Sequence, residues 1–412
     1  MSAPNTTPKP PSSNKPKLVI FLTVLMDLVG FGIVIPLLPF YAQDVRFQAT
    51  PMEIGLLMAS YSLAQFFFAP VWGTLSDRFG RRPILLTSIG MGALMLAGFA
   101  LSQSLLHLFV FRTLHGVFAA NISTAQAYMA DISAPEDRAK AMGMIGAAFG
   151  LWFTLGPWIG GELSVRGLAA PIWLASGLGT LNFVLAGLFL PESRDPNQPS
   201  SRHPRSISPL TFLRVLRHPI VGSSIGLIFL MTFSFSMMEC TFALFEQALY
   251  GLDAQDVGRL MGLIGVVMIV VQGGLIGPLS KRFGEAFLVR IGLPGLGIGL
   301  LALVYAPPTV PLAIACIILA TFHGLSQPSL FAIISKRTPA SDQGLVMGTN
   351  QSLSALARAT APAIGLAVFT GIAHSATFLL AALLMGAASI VAWFIIKPTE
   401  PVEAVQTAPA QP

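Results

Sequence analysis

Polar and apolar residues in this chain do not alternate at the period of an amphipathic helix or a strand. The polar ones gather in short clusters that separate long apolar runs. Runs of spanning length occupy residues 18–41, 52–74, 84–103, 106–129, 139–161, 170–190, 219–245, 256–279, 286–306, 310–334, 343–371 and 375–396. About 20 residues of helix cover a hydrocarbon core roughly 30 Å thick, so each run predicts one membrane-spanning helix and the set predicts twelve. An outer-membrane barrel would instead show segments of about 10 residues alternating in polarity.

Composition narrows the class further. Of 412 residues, 54% are apolar and only 10% are charged, with a mean hydropathy of +0.72. Soluble domains carry about 25% charged residues, so a soluble enzyme, a nucleic-acid binder and a disordered scaffold are all excluded. The 39 Gly and 31 Pro fit a bundle of membrane helices, which tolerate both. Residues 1–17 are polar and Pro-rich and read as a disordered tail, with no cleavable signal pattern. Residues 191–218 form a polar, basic, Pro/Ser-rich linker that divides the runs into two groups of six, 18–190 and 219–396, and residues 397–412 form a second tail. Cys240 and Cys316 both lie in apolar runs and give no disulfide framework.

The basic residues follow a topology. With the N-terminus cytoplasmic, 18 of the 24 Lys and Arg fall in cytoplasmic segments, and only Arg46, Arg166 and Arg259 fall outside. This satisfies the positive-inside rule with both termini and the linker cytoplasmic, as for a multi-pass protein of the cell inner membrane. The pI near 9.6 is therefore a signature of membrane orientation and implies no nucleic-acid partner. The expected partners are the lipid bilayer, a small-molecule substrate and protons, acting on a monomer.

The chain also repeats itself. GTLSDRFGRRP from Gly73 returns as GPLSKRFGEAF from Gly277, an offset of 204 positions, and GPWIGG from Gly156 returns as APAIGL from Ala361, an offset of 205. Two landmarks at one spacing indicate a duplicated six-helix unit in parallel orientation. Such repeats place a substrate site near the bilayer midplane, between halves that rock to alternate access.

A few ionisable and polar residues interrupt the apolar runs. Asp27 lies mid-run in the first segment, where a carboxylate costs several kcal/mol unless paired or protonated. Burial and a nearby cation pull its proton affinity in opposite directions, as a reversible proton carrier needs; a fixed structural ion pair is the alternative. Arg112 in the fourth segment is the natural counter-charge, although counting residues at 1.5 Å each sets it at a different depth from Asp27. His115, three positions on, shares its face. Glu239 in the seventh segment can carry a second proton or hold a cationic group, and Arg358 in the eleventh can face an acid in a central cavity or bond helix carbonyls. Glu246 is expected at the outer water interface. Gln65, Asn121 and Gln126 can bind substrate or bond across helices, while Phe66, Phe67, Phe68 and Trp152 line a cavity or simply pack. No metal-ligand cluster, nucleophile motif or ATP-binding loop is present in the sequence, so the reading is not an enzyme and needs no cofactor beyond a proton gradient.

At GTLSDRFGRRPILL the chain resembles the major facilitator superfamily, and MDLVGFGIVIPLLP, FRTLHGVFAA, GLWFTLGPWIGG, AYMAD and EDRA are similar to its twelve-helix drug:proton antiporters, tetracycline-type exporters among them. The resemblance implies an all-α membrane fold of two pseudo-symmetric six-helix halves. It also implies a proton-coupling role for Arg112, and a conformational latch made by Gly73, Asp77, Arg78, Gly80 and Arg81 with Asp131. Lys281 replaces the latch Asp in the second copy, which is expected to latch weakly or not at all. The small residues Gly146, Gly150, Gly156, Pro157, Gly160 and Gly161 match the antiporter pattern of the fifth helix, where they permit close packing and a kink. Where tetracycline exporters carry an acid in the third helix this chain has Met95, and His115 and Phe118 replace Gln and Gly of the fourth-helix pattern. The expected function is proton-coupled efflux of small amphipathic compounds other than tetracycline; a proton-coupled importer of a nutrient is the alternative.

Overall fold

A computed structural model describes residues 15–119, 121–133, 138–193, 215–338 and 343–396, and every regular element among them is helical. In the first half of the chain the helices are α1 (Lys15–Val34), α2 (Leu38–Ala42), α3 (Pro51–Phe79), α4 (Arg81–Ala100), α5 (Leu105–Val117), α6 (Asn121–Asp131), α7 (Arg138–Ser164) and α8 (Ala170–Phe189). In the second they are α9 (Pro219–Tyr250), α10 (Ala254–Val270), α11 (Ile276–Phe283), α12 (Glu285–Tyr305), α13 (Val310–Arg337), α14 (Gln343–Gly371) and α15 (Ala376–Ile395). Residues Val271–Leu275 join α10 to α11 as a single π-helical turn. Among the described residues eleven segments are long and apolar enough to cross a bilayer, with α5 and α6 counted as one. The 27-residue α7 is a further long helix.

The boundaries refine the sequence reading in three places. Helix α1 begins at Lys15, inside the stretch read as a tail. The fourth predicted span is two helices, broken around Phe118 and Ala119. The remaining tail residues and positions 194–214 of the linker lie outside the described residues.

Local chemistry sets the ends. Thr50 and Glu53 cap α3 reciprocally, the Thr50 hydroxyl accepting from the Glu53 N–H and the Glu53 carboxylate accepting from the Thr50 N–H at 2.8 Å. Between α3 and α4 the chain turns through Gly80 at φ 100°, and between α11 and α12 through Gly284 at φ 80°. A side chain rarely adopts that region, so the duplicated turn demands glycine twice, 204 positions apart. We call the end of the bundle that holds these two turns proximal, and the opposite end distal.

Outward-facing positions are apolar: Phe67, Leu188, Phe189, Leu383 and Phe394 are all exposed. A helix apolar on its buried and its exposed side alike is the pattern a lipid-facing bundle requires. The two halves of the chain meet at the distal end. A Cβ at Gly161 of α7 would lie 2.9 Å from the Gly258 Cα of α10, and one at Gly55 of α3 would lie 3.1 Å from the Pro362 carbonyl of α14. Over the same seam the Glu162 carboxylate accepts from Arg259 Nε at 2.6 Å and from Gln255 Nε2 at 2.8 Å. At the proximal end Gly73, Gly273, Gly274, Gly277 and Gly348 border open space.

Candidate functional site

Tyr61 of α3 is the hub of the interior. Its hydroxyl lies within electrostatic reach of Arg112, Asp27 and Arg358, drawn from α5, α1 and α14. Arg358 in turn lies within reach of Glu239 on α9. Five helices from both halves of the chain thus bring two acids and two bases around one phenol. Asp27, Glu239 and Arg358 are half-buried, and Arg112 is buried.

Arg112 is seated on aromatic faces. Its guanidinium carbon lies 4.6 Å from the Tyr61 ring centre and 5.6 Å from that of Phe31, and its Nε and Nη1 have no hydrogen-bond partner. Phe31 is one turn along α1 from Asp27, so Arg112 is seated on the stretch of α1 that carries the acid. Cation–π seating of this kind is worth about 2 kcal/mol when desolvated. His115 packs edge-on against Tyr61 at 5.2 Å and against Gly92, with Nδ1 buried and unpartnered.

From Tyr61 an aromatic path crosses between the halves. Ring centres step from Tyr61 to Phe31 at 5.0 Å and to Trp152 at 5.8 Å, then to Phe153 at 5.2 Å and Phe235 at 5.6 Å, ending on His323 at 4.4 Å. Trp152 belongs to this path, and Gly32 leaves room for its indole. Phe67 and Phe68 face outward.

The break between α5 and α6 frees carbonyls inside the apolar span, where each must find a donor. Neighbouring helices supply three: Trp72 Nε1 donates to the Val117 oxygen at 2.6 Å, Gln65 Nε2 to that of Ala119 at 3.2 Å, and the Ser88 hydroxyl to that of Phe118. Gln65 therefore holds the break, the helix-bridging one of the two roles the sequence left open. Gln126 lies half-buried on α6. The Asn121 side chain lies outside the described residues.

The latch residues assemble within the first half of the chain. Arg81 reaches Asp77 at 2.6 Å and Asp131 at 3.1 Å, and Nη1 donates to Ser76. Glu192 caps the start of α4, accepting from the N–H groups of Arg81 at 2.9 Å and Arg82 at 3.1 Å. Gly80 leaves room for that carboxylate, Arg78 lies over Phe79, and Gly73 faces open space. The second copy holds an ion pair of its own that leaves Lys281 out: Glu285 and Lys336 lie 2.6 Å apart. Glu285 stands 204 positions after Arg81 and Lys336 205 after Asp131.

The helix-five glycines divide between two faces of α7. Gly156 and Gly160 admit α1, where a Cβ at Gly156 would lie 2.6 Å from the Gly32 Cα and one at Gly160 2.7 Å from the Ile33 oxygen. Gly161 and the Pro157 carbonyl instead meet Gly258 of α10. Gly146 and Gly150 fall in the stretch of α7 whose surroundings lie outside the described residues.

Glu246 departs furthest from its expected place. It is 0% exposed on α9, with both carboxyl oxygens unpartnered, whereas the sequence put it at a water interface. Sequence reasoning also passed over Tyr61, although Tyr61 and Gln65 stand four apart in an apolar run and so share a face.

Comparison with known proteins gives the family of the chain. The Major Facilitator Superfamily profile matches residues 20–362 and 275–412. The chain is 32% identical over 365 residues to the class C tetracycline resistance protein of Escherichia coli, covering 88% of this chain and 92% of that one. It is 28% identical to Multidrug resistance protein 2 of Bacillus subtilis (strain 168), over 84% of this chain and 87% of that one. The crystal structure of the human organic anion transporter MFSD10 superposes with a TM-score of 0.70 at 26% identity, covering 93% of this chain and all of that one.

Proposed function

The chain belongs to the major facilitator superfamily, and on that premise we propose that it is a proton-driven exporter of small amphipathic compounds working by alternating access. In this reading α7 is the twelfth span, the halves are two six-helix bundles, the proximal end with both termini is cytoplasmic, and the membrane is the cell inner membrane. The observation that carries the proposal is the enclosure of Asp27, Arg112, Glu239 and Arg358 around Tyr61, between halves that touch along the distal seam. A proton arriving from the distal side neutralises Asp27, weakens its hold on the surrounding charges and releases cargo there. Loss of that proton on the cytoplasmic side resets the site. Glu239 and Arg358 orient cargo from the second half, and His115 is a further proton-exchanging group on the face of Arg112.

Two features support the antiporter branch over an importer. Its relatives include tetracycline and multidrug resistance proteins, and the α7 glycines match the antiporter pattern. Met95 is a buried apolar residue of α4 where tetracycline exporters carry an acid, so cargo other than tetracycline is proposed.

Everted vesicles holding a pH-sensitive dye test the direction. Adding a transported compound should release protons from the acidified lumen, and Asp27→Asn should abolish that release. Proton uptake together with solute uptake in intact cells would instead establish the importer.

A further inference from the structure

Glu246 is a carboxyl group that neither the latch nor the Tyr61 site uses. It lies two turns beyond Glu239 on the same face of α9 and about one turn before the distal cap at Gly251, roughly 10 Å along the axis from Glu239. Both of its oxygens are buried without a hydrogen-bond donor.

Among the described residues, the elements packed on α9 offer Glu246 no counter-charge. From α13 come Cys316, which lies within electrostatic reach, and His323, which stacks on Phe235. From α14 comes Arg358, which faces Glu239. Helix α15 carries no ionisable residue. On α10, Asp256 sits in the first turn and Arg259 is turned to Glu162. On α2, Tyr41 donates to the Phe99 and Ala100 carbonyls, and Asp253 caps α10. An ionised carboxylate buried without a partner costs several kcal/mol, whereas the uncharged acid costs far less. The arrangement with the distal end closed is therefore one that only the protonated side chain fits.

We infer that Glu246 is a proton-binding site, loaded from the distal solution, whose occupancy is a condition for closing the distal end. When the seam between the halves parts, water reaches this end of α9 and the carboxyl group ionises; closure requires that it take a proton back. This rests on the proton-coupled reading above and adds to it a second proton, separate from that of Asp27. The sign follows from linkage: the closed form binds one more proton than the open form, so raising the distal pH favours opening, by up to about tenfold per pH unit for one linked proton.

Two measurements on the full-length protein test it. In infrared difference spectra between acidic and alkaline buffer, the carbonyl stretch of a protonated carboxyl group should lose one component in Glu246→Gln, which matches the uncharged acid in size. A spectrum unchanged by that substitution would overturn the assignment. Spin labels at the exposed positions Val165 and Ile372, one in each half, report distal opening in liposomes. The wild type should open with rising pH, and Glu246→Gln should stay closed with less than about a twofold change over the same range. If the variant follows the wild-type profile, the proposal fails. Neither readout involves cargo, so a chain that transports without moving protons would refute the antiport reading while leaving the Glu246 site to stand or fall by itself.

Discussion

Glu285 and Lys336, 2.6 Å apart, occupy in the second half of the chain the positions that Arg81 and Asp131 occupy in the first, with the signs exchanged. Lys281 likewise stands 204 positions after Asp77, so the charge sign is exchanged between the copies at all three positions. One helical scaffold accepts both polarities, because an ion pair depends on opposite charge at a fixed distance and not on which helix carries which sign.

The exchange predicts a rescue. Arg81→Glu sets three acids against one another and should lower the melting temperature in detergent and reduce transport. Adding Asp131→Lys and Asp77→Lys, the arrangement of the second copy, should restore both, with a coupling energy of about 0.5–3 kcal/mol. Thermal denaturation of the single and triple variants checks it; a triple variant no better than the single one would show that the loop needs its native polarity.

Arg112 depends on the ring of Tyr61 more than on its hydroxyl. Tyr61→Phe keeps the aromatic face 4.6 Å from the guanidinium and should retain most transport, whereas Tyr61→Ala removes it and should cost about tenfold or more. Initial rates at matched expression decide between ring and hydroxyl.

Glycines at the two packing faces of α7 should fail in two different ways. Gly156→Leu drives a side chain into the backbone of α1 and should destabilise the fold, by about 1–3 kcal/mol. Gly258→Leu acts at the seam between the halves, so it should leave the melting temperature nearly unchanged while the Val165–Ile372 label distance lengthens. Glu162→Gln should widen the same distribution only a few-fold, since an exposed ion pair contributes little.

The break in the fourth span should be sensitive to its donors. Trp72→Phe leaves the Val117 carbonyl without its partner inside the bundle and should cost about 1–3 kcal/mol. Gln65→Leu should behave similarly. Melting curves with a conservative change at exposed Phe67 as control test this, and Gln65→Leu that is stable but loses cargo selectivity would return Gln65 to the substrate site.

Much of this protein was legible one residue at a time. Apolar length identified the spans, the Lys and Arg count suggested an orientation, and the duplicated GTLSDRFGRRP and GPWIGG segments located the Arg81 charge cluster and the close-packed helix. Each of these signals is local: a run long enough, a glycine where φ must be positive, a charge beside an apolar stretch. Tertiary structure alone decided that Arg112 rests on Tyr61 and Phe31, that Gln65 serves the helix break, and that Glu246 is buried. The reason is that a membrane helix is apolar toward lipid and toward its neighbours alike. Hydropathy therefore gives such a helix its length but not its rotation about its own axis, and only the packing of the other helices around it fixes which side chains look inward.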